Sequence, residues 1–258
     1  MNINQMLDDL DRKGWVLVGN VYDEQLVESV KSEFYEHAHS FREIQARKGI
    51  SDQVVNASHH TLILCRRMLG LLEENSVSPL LEAFFNGKYI LNTMGLSFMP
   101  PAGKVYTQNI HRDVRSFTGD MRLWINSLIM LDDSTPDNGA TWLLEGSHKR
   151  DGKPDQEYFY KNAVRATGKK GDVLVFDGNI WHSAGINKTD KTRHIITPIY
   201  SRPYIKQQLD YPKAFGKDFG RIISPHLKQL LGYNALVPVT LDEFYQKDED
   251  RFYKKDQG

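Results

Sequence analysis

Four residues could do chemistry together. His111 and Asp113 flank Arg112. His182 closes the run Asp172-Val173-Leu174-Val175-Phe176-Asp177-Gly178-Asn179-Ile180-Trp181-His182, and Arg193 opens Arg193-His194-Ile195-Ile196. Each alone has an ordinary explanation: a hydrogen-bonded strand histidine, a turn aspartate, a surface salt bridge. As a set they describe a metal site. Two imidazoles and one carboxylate on one face of a metal leave the opposite face open, as in non-heme Fe(II) oxygenases. The open positions accept a chelating keto acid and O2. A keto acid with a second, distal carboxylate needs a fixed cation, and arginine meets carboxylates with a planar fork of donors.

The elements that must position this set follow from periodicity. On a strand His111 and Asp113 point the same way, because side chains alternate with a period of two. One strand then supplies two ligands, and His182, at the end of a second short strand, supplies the third. The first part of the chain reads as a helical layer. Residues 2–13 carry an apolar stripe, Asp23 caps a helix running to about His39, and helices are expected over 62–72 and 79–85. His37 and His39 then lie at the favourable end of the helix dipole. Residues 40–58 read as a loop or a frayed helix. In Ser58-His59-His60, neighbouring histidines face different ways and make poor joint ligands, so a structural role is expected, with substrate contact the alternative. Strands follow at 89–98, 104–108 leading into the His-x-Asp strand, 122–131, 141–144, 163–167, 172–176, 180–182 and 193–200. Residues 132–139 are a dense turn signal, 149–162 a surface loop, and 168–171 a hairpin turn. A short helix ending at Gly232 is expected at 224–232, and the charged stretch 246–258 is expected to be disordered. Short strands with frequent turns indicate a mainly β fold with added helices, a jelly-roll barrel. No repeat or linker is visible, so one domain is expected: a helical layer over about 1–88, a barrel core over about 89–205 and an extension over 206–258.

His111-Arg112-Asp113, Asn138-Gly139-Ala140, Glu145-Gly146-Ser147-His148, Gly171-Asp172-Val173 and His182 through Arg193 resemble the phytanoyl-CoA dioxygenase family. The opening Gly14-Trp15-Val16-Leu17-Val18 resembles it too, and the likeness spans roughly residues 10–205. The resemblance implies a double-stranded β-helix with helices packed on one sheet. It implies His111, Asp113 and His182 as Fe(II) ligands and 2-oxoglutarate as co-substrate beside O2. The reaction implied is hydroxylation of an unactivated C–H bond of a small molecule, with 2-oxoglutarate converted to succinate and CO2. Related halogenases lack the carboxylate, so Asp113 argues against halogenation. By the same resemblance Arg193 pairs with the distal carboxylate of 2-oxoglutarate. Asn126 either binds the co-substrate or is a buried structural amide, and Gln108 is a weaker candidate for the same task. Relatives often carry a serine two residues after the distal histidine, in contact with the keto acid. Here that position is Ala184, and alternation turns Ser183 to the other face. If the strand continues past Asp113, Arg115 shares its face and could meet an anionic substrate group; a solvent-facing role is equally open. His148 and His194 read as structural. The same machinery could instead desaturate, cyclise or epimerise, and a jelly-roll protein that binds a metabolite without catalysis is the competing class.

Composition narrows the rest. The 258 residues hold 33 basic and 33 acidic side chains, which gives no general attraction to nucleic acid or an anionic membrane. The one cysteine, Cys65, has no internal partner and suits a reducing compartment. No signal peptide, membrane-length apolar run or C-terminal peroxisomal signal is visible, so the expected location is the cytoplasm. A bacterial biosynthetic or tailoring step fits; the oligomeric state is not encoded in any of these features.

Overall fold

Alternation decides what each face of the main sheet meets. Val173 and Val175 join a core shared with the helices, while Leu174 and Phe176 join a second cluster on the opposite face. Ile125 and Ile129 divide in the same way from Leu128 and Met130, and Ile196 from Ile195. The sheet is therefore apolar on both faces and must be covered on both. In the computed structural model, which describes residues 2–73 and 76–247, helices cover one face and a small second sheet covers the other.

The strands are β1 (Trp15–Val18), β2 (Ala57–His59), β3 (Ile90–Met99), β4 (Trp124–Met130), β5 (Thr141–Leu143), β6 (Val164–Ala166), β7 (Val173–Asp177), β8 (His182–Ser183) and β9 (Arg193–Ser201). The large sheet runs β1-β7-β4-β9-β3-β2 and the small one β6-β5-β8, with antiparallel pairing throughout. This is the expected jelly-roll architecture with helices on one sheet. The helical layer comprises α1 (Ile3–Lys13), α2 (Glu24–Arg47), α3 (Met68–Glu73) and α4 (Ser78–Phe85). Asn2 and Asp23 cap α1 and α2 by accepting from Gln5 and Leu26 N–H, and Val27, Val30, Phe34, Ala38 and Phe41 form the buried stripe of α2.

Several expectations need correcting. Helix α2 does not stop near His39 but runs to Arg47, because 40–47 are adequate helix formers and Phe41 continues the buried stripe. His37 and His39 therefore sit mid-helix, and His39 pairs with Glu43 at 3.0 Å instead of meeting a helix terminus. The helix expected over 62–72 is broken: a 3-10 turn spans Thr61–Ile63, after His60 in a left-handed conformation, and α3 begins only at Met68. The loop 149–162 contains a helix, α5 (Gln156–Asn162), capped by Asp155 and anchored by buried Phe159. Residues 168–171 do not close a hairpin, since β6 and β7 belong to different sheets. They carry the chain across, with the Gly171 carbonyl accepting from the N–H groups of Val21 and Tyr22. The tail helix forms at Pro225–Leu230, capped by Ser224. Residues 248–258 of the charged tail lie outside the described residues. Cys65 is buried, and burial pushes its thiol up to about 12, so it is inert packing. No helix among the described residues is long and apolar enough to cross a membrane.

Helix α2 is fastened to β9 through Asp132. One carboxylate oxygen accepts from Lys31 at 2.7 Å. The other accepts from the His194 backbone N–H at 2.8 Å and ring Nδ1 at 2.7 Å, and Tyr35 Oη meets His194 Nε2 at 2.5 Å. Burial would raise the Asp132 pKa, but these donors outweigh it and hold it down at about 2. A depressed carboxylate contributes stability above its unfolded pKa and loses it as pH falls through the folded value. Asp132→Asn is therefore expected to cost on the order of 1–2 kcal/mol at neutral pH, after allowance for partial solvent screening. In urea unfolding against pH, the gap from the parent protein should shrink from about pH 4 towards pH 2.

Candidate active site

The two histidines are brought together by backbone pairing, not by adjacency in sequence. His111 N–H donates to the His182 carbonyl at 3.0 Å and His182 N–H to the His111 carbonyl at 2.9 Å, a closed antiparallel bridge. A directly opposed pair on one face holds its side chains close, and the ring centroids are 4.2 Å apart. On its other side His182 pairs with Leu143 of β5, and Phe176 places its ring edge-on at 5.0 Å.

Each ring is fixed by a carbonyl two residues before it. His111 Nδ1 lies 2.7 Å from the Asn109 carbonyl and His182 Nδ1 3.0 Å from the Ile180 carbonyl. A carbonyl only accepts, so both Nδ1 atoms carry the proton and both Nε2 atoms present a lone pair. Burial, with His111 adjacent, pushes the His182 pKa down to about 4. Its imidazole is thus in the neutral form that binds metals.

Asp113 completes the set, though not on a continuing strand. After the bridge at His111 the chain bends through 113–116, and this bend aims the carboxylate back at the rings. His111 Nε2 lies 3.7 Å from Asp113 Oδ1 and His182 Nε2 3.6 Å from Oδ2. The three ligand atoms fall within 4.8 Å of one another, His182 buried and Asp113 exposed. The residues fit a metal: two oriented lone pairs and one carboxylate converge, open to solvent on the Asp113 side. The bend also removes the premise for Arg115, whose exposed side chain no longer shares a face with Asp113 by strand alternation.

Asn126, on the inner face of β4, donates to Asp113 Oδ2 at 2.5 Å, and its own Oδ1 is buried without a partner among the described residues. The amide orients the ligand carboxylate. Outer partners of this type typically contribute 10–100-fold to metal affinity. Asn126→Ala is accordingly expected to weaken Fe(II) binding by roughly 10–100-fold, measured by anaerobic competition with a chelator; unchanged affinity would contradict the assigned orientation role.

Arg193 lies on the same inner face, 3% exposed. Its Nε donates to the Asn138 carbonyl at 3.0 Å and Nη2 to the Gly139 carbonyl at 2.7 Å, while Nη1 is buried with no partner among the described residues. Burial, with Arg165 nearby, lowers its pKa to about 10 against the opposing pull of Asp132, so the cation is present. Gly139 itself has φ +88°, and a Cβ there would meet the Gly185 carbonyl at 2.8 Å, which explains glycine in this cradle. Arg193 borders a small cleft that opens to solvent, lined also by Ser97, Met99, Val105, Thr107, Ala184 and Ile195.

The remaining candidates have other partners. Gln108 Nε2 donates to the Gly103 carbonyl at 3.3 Å and contacts Met99 Sδ at 3.8 Å, which puts it behind the cleft wall. Ser183 turns away from the cleft and donates to the Gln108 carbonyl at 2.7 Å. Arg112 stacks on Trp181 at 4.3 Å and donates to the Arg150 carbonyl at 2.8 Å, pinning the 149–151 loop. His148 Nε2 meets the Asp11 carbonyl. His59 Nε2 meets Tyr106 Oη at 3.0 Å and His60 Nδ1 meets Tyr211 Oη at 3.3 Å, so the two rings do diverge. The sequence reading missed Thr107 and Ser97 as cleft hydroxyls. Their type is common, and only the fold shows which ones share a cleft with Arg193.

A family model described as phytanoyl-CoA dioxygenase (PhyH) matches residues 10–195. An uncharacterised protein of Mycobacterium tuberculosis, Rv1501, is 28% identical over 100% of this chain and 96% of its own length. Dioxygenase cdmA of Talaromyces verruculosus is 26% identical, covering 90% of this chain and 83% of the relative. Among solved structures, EctD from S. alaskensis with 2-oxoglutarate and 5-hydroxyectoine superposes with a TM-score of 0.62 at 18% identity, over 78% of this chain and 76% of EctD. The architecture is thus that of the double-stranded β-helix oxygenases.

Proposed function

The chain belongs to the phytanoyl-CoA dioxygenase family, whose members use Fe(II) and 2-oxoglutarate, and from that membership we infer a hydroxylase acting on an unactivated C–H bond of a small molecule. The observation that carries this reading is the convergence of His111 Nε2, His182 Nε2 and the Asp113 carboxylate, with both Nδ1 atoms tied to backbone carbonyls. Iron with 2-oxoglutarate supplies the oxidising power when bound, the keto acid leaving as succinate and CO2. The chain's own residues do the rest. His111, Asp113 and His182 would hold the metal through three side chains and leave room for the co-substrate and O2. Asn126 fixes the orientation of the Asp113 carboxylate. Arg193 offers an unpartnered Nη1 to the distal carboxylate of the co-substrate. Met99, Val105 and Ile195 line the cleft beside that ion pair, and apolar walls strengthen it by lowering the local dielectric. In this reading Asn126 keeps a second Nδ2 hydrogen beyond the one given to Asp113, whereas Gln108 Nε2 is turned to Gly103 and Met99.

The experiment is anaerobic titration of Fe(II)-loaded protein with 2-oxoglutarate, followed by the visible metal-to-ligand charge-transfer band, and then succinate formation on admission of O2. A folded, metal-loaded protein that binds no 2-oxoglutarate would leave a metabolite-binding jelly roll as the better reading. With a substrate in hand, product mass separates the outcomes: one oxygen gained for hydroxylation, two hydrogens lost for desaturation or cyclisation, no change for epimerisation.

A further inference from the structure

Strand β2 is the edge of the large sheet, and its register decides where His59 points. His59 is opposed to Gly95 and Ala57 to Ser97, and on the other side of β3 Arg193 is opposed to Met99. Opposed residues share a face, and alternate residues along a strand return to it. Ser97, Met99 and Arg193 line the cleft, so His59 projects from the same inner face, at its rim. Asn56 (φ +59°) and His60 (φ +51°) bracket β2 in left-handed conformations and keep it three residues long. A Cβ on Gly95 would meet the Ser58 carbonyl at 2.9 Å, so glycine lets this rim lie close to β3.

From the rim, His59 Nε2 meets Tyr106 Oη at 3.0 Å. Tyr106 stands between Val105 and Thr107, which both line the cleft, and opens the 3-10 turn Tyr106–Gln108. Its carbonyl accepts from Asn109 Nδ2 at 3.1 Å, and the Asn109 carbonyl faces His111 Nδ1 at 2.7 Å. Tyr106 is thus one relay away from a metal ligand. Burial, and then the charge of Asp113, push its phenol pKa up, while burial pushes the His59 imidazole down. Both side chains are nonetheless exposed, Tyr106 by 44%. Rings that meet solvent and still resist ionisation belong to a concave wall, here on the open, Asp113 side of the metal site.

The contact is not needed to hold β2 in place. The Asn56 carbonyl already accepts from Phe98 N–H at 3.0 Å, and Asn56 Nδ2 donates to the Lys104 carbonyl at 3.0 Å. What the pair offers is hydrogen-bonding capacity. When Tyr106 donates to His59, its oxygen keeps a lone pair for a ligand; when His59 donates to Tyr106, the phenol proton is free instead. A hydroxyl both donates and accepts, so it matches either tautomer. A carboxylate only accepts, and it would stand against the charge of Asp113.

We propose that Tyr106 is a substrate-binding residue on the open side of the metal site, positioned by His59, and that it takes a neutral hydroxyl group of an alcohol or polyol substrate. This rests on the oxygenase reading given above and narrows its substrate to an uncharged hydroxylated molecule.

The test uses two probes on one carbon skeleton, cyclohexanol and cyclohexanecarboxylate. Each is titrated anaerobically into protein loaded with Fe(II) and 2-oxoglutarate, and the response of the charge-transfer band gives a dissociation constant with no turnover. Cyclohexanol should bind, and the carboxylate should bind at least about 10-fold more weakly. Tyr106→Phe removes only the hydroxyl of an exposed side chain. It should weaken cyclohexanol by roughly 5–10-fold, the worth of one hydrogen bond, and leave the affinity for 2-oxoglutarate within about 2-fold. His59→Ala should weaken cyclohexanol in the same direction, His59→Gln should recover part of the loss, and His59→Ala added to Tyr106→Phe should cost nothing more, since the two act as one unit. Equal weakening of cyclohexanol and 2-oxoglutarate in Tyr106→Phe would mark a structural role and overturn the proposal. So would tighter binding of the carboxylate, unchanged cyclohexanol binding in Tyr106→Phe, or no response of the parent protein to cyclohexanol up to its solubility limit. Failure of the oxygenase reading shows earlier and separately, as absence of the band before any probe is added.

Discussion

His182→Ala should abolish succinate formation from 2-oxoglutarate, by at least about 10³-fold, since a direct ligand must exceed the 10–100-fold of an outer partner. His182 is the buried member of the triad. Its Nε2 is aligned by the Ile180 carbonyl and its ring is wedged between His111 and Phe176, so no neighbouring group can swing in to replace it. Removing it leaves His111 and Asp113 as a two-point site, which also forfeits the open-face geometry. The charge-transfer band should vanish with it. His182→Gln, which keeps much of the volume, separates loss of the ligand from loss of packing. If either variant is folded by near-UV circular dichroism and still turns over 2-oxoglutarate at more than about a tenth of the parent rate, far above the 10³-fold loss expected, His182 is not a ligand.

Arg193→Lys should raise the dissociation constant for 2-oxoglutarate by about 100-fold, and Arg193→Leu by more. Breaking a buried charge pair from one side costs several kcal/mol, because the surviving charge is left without a partner. Lysine keeps the charge but cannot hold the Asn138 and Gly139 carbonyls while presenting a further nitrogen to the cleft. The Asn138 and Gly139 carbonyls would also lose the arginine's donors, Gly139 keeping that of the Gly185 N–H, so a modest fall in thermal stability should accompany the binding defect. Titration of Fe(II) in the absence of keto acid supplies the control: metal affinity should stay within about 3-fold, because Arg193 does not touch the triad. A large loss of metal affinity would mean that the arginine supports the metal centre and not the co-substrate.

Side-chain chemistry made the metal set legible. His111, Asp113, His182 and Arg193 stand out because their types and order carry the chemistry, and the fold brings the first three within one ion's reach. The route by which they converge was not legible. Strand alternation was the wrong reason for His111 and Asp113 to agree, since the chain bends at Asp113, and bends are set by tertiary contacts such as Val114 N–H to the Gly178 carbonyl. Helix α2 overran its expected end because Phe41, eight residues before Gly49, packs into the core, a gain that local propensity does not register. The turn at 168–171 has hairpin composition, yet it serves a crossover, because composition reports a change of direction and not which sheet receives the next strand. Asn126 was recognised as a buried amide in need of a partner. Its partner, Asp113, lies thirteen residues away in a segment with no regular structure, and only the folded chain could supply that pairing.

The reciprocal bridge between His111 and His182 has a thermodynamic consequence. Both imidazoles hang from backbone that is already hydrogen-bonded, and both rings are already oriented. The ordering that a metal must impose in a zinc finger, where binding and folding are one event, has been done here by the sheets. Metal affinity at this site is accordingly decoupled from global folding: exchange of one ion for another is a local equilibrium, in which selectivity is decided by ligand type and not by the cost of assembling the site.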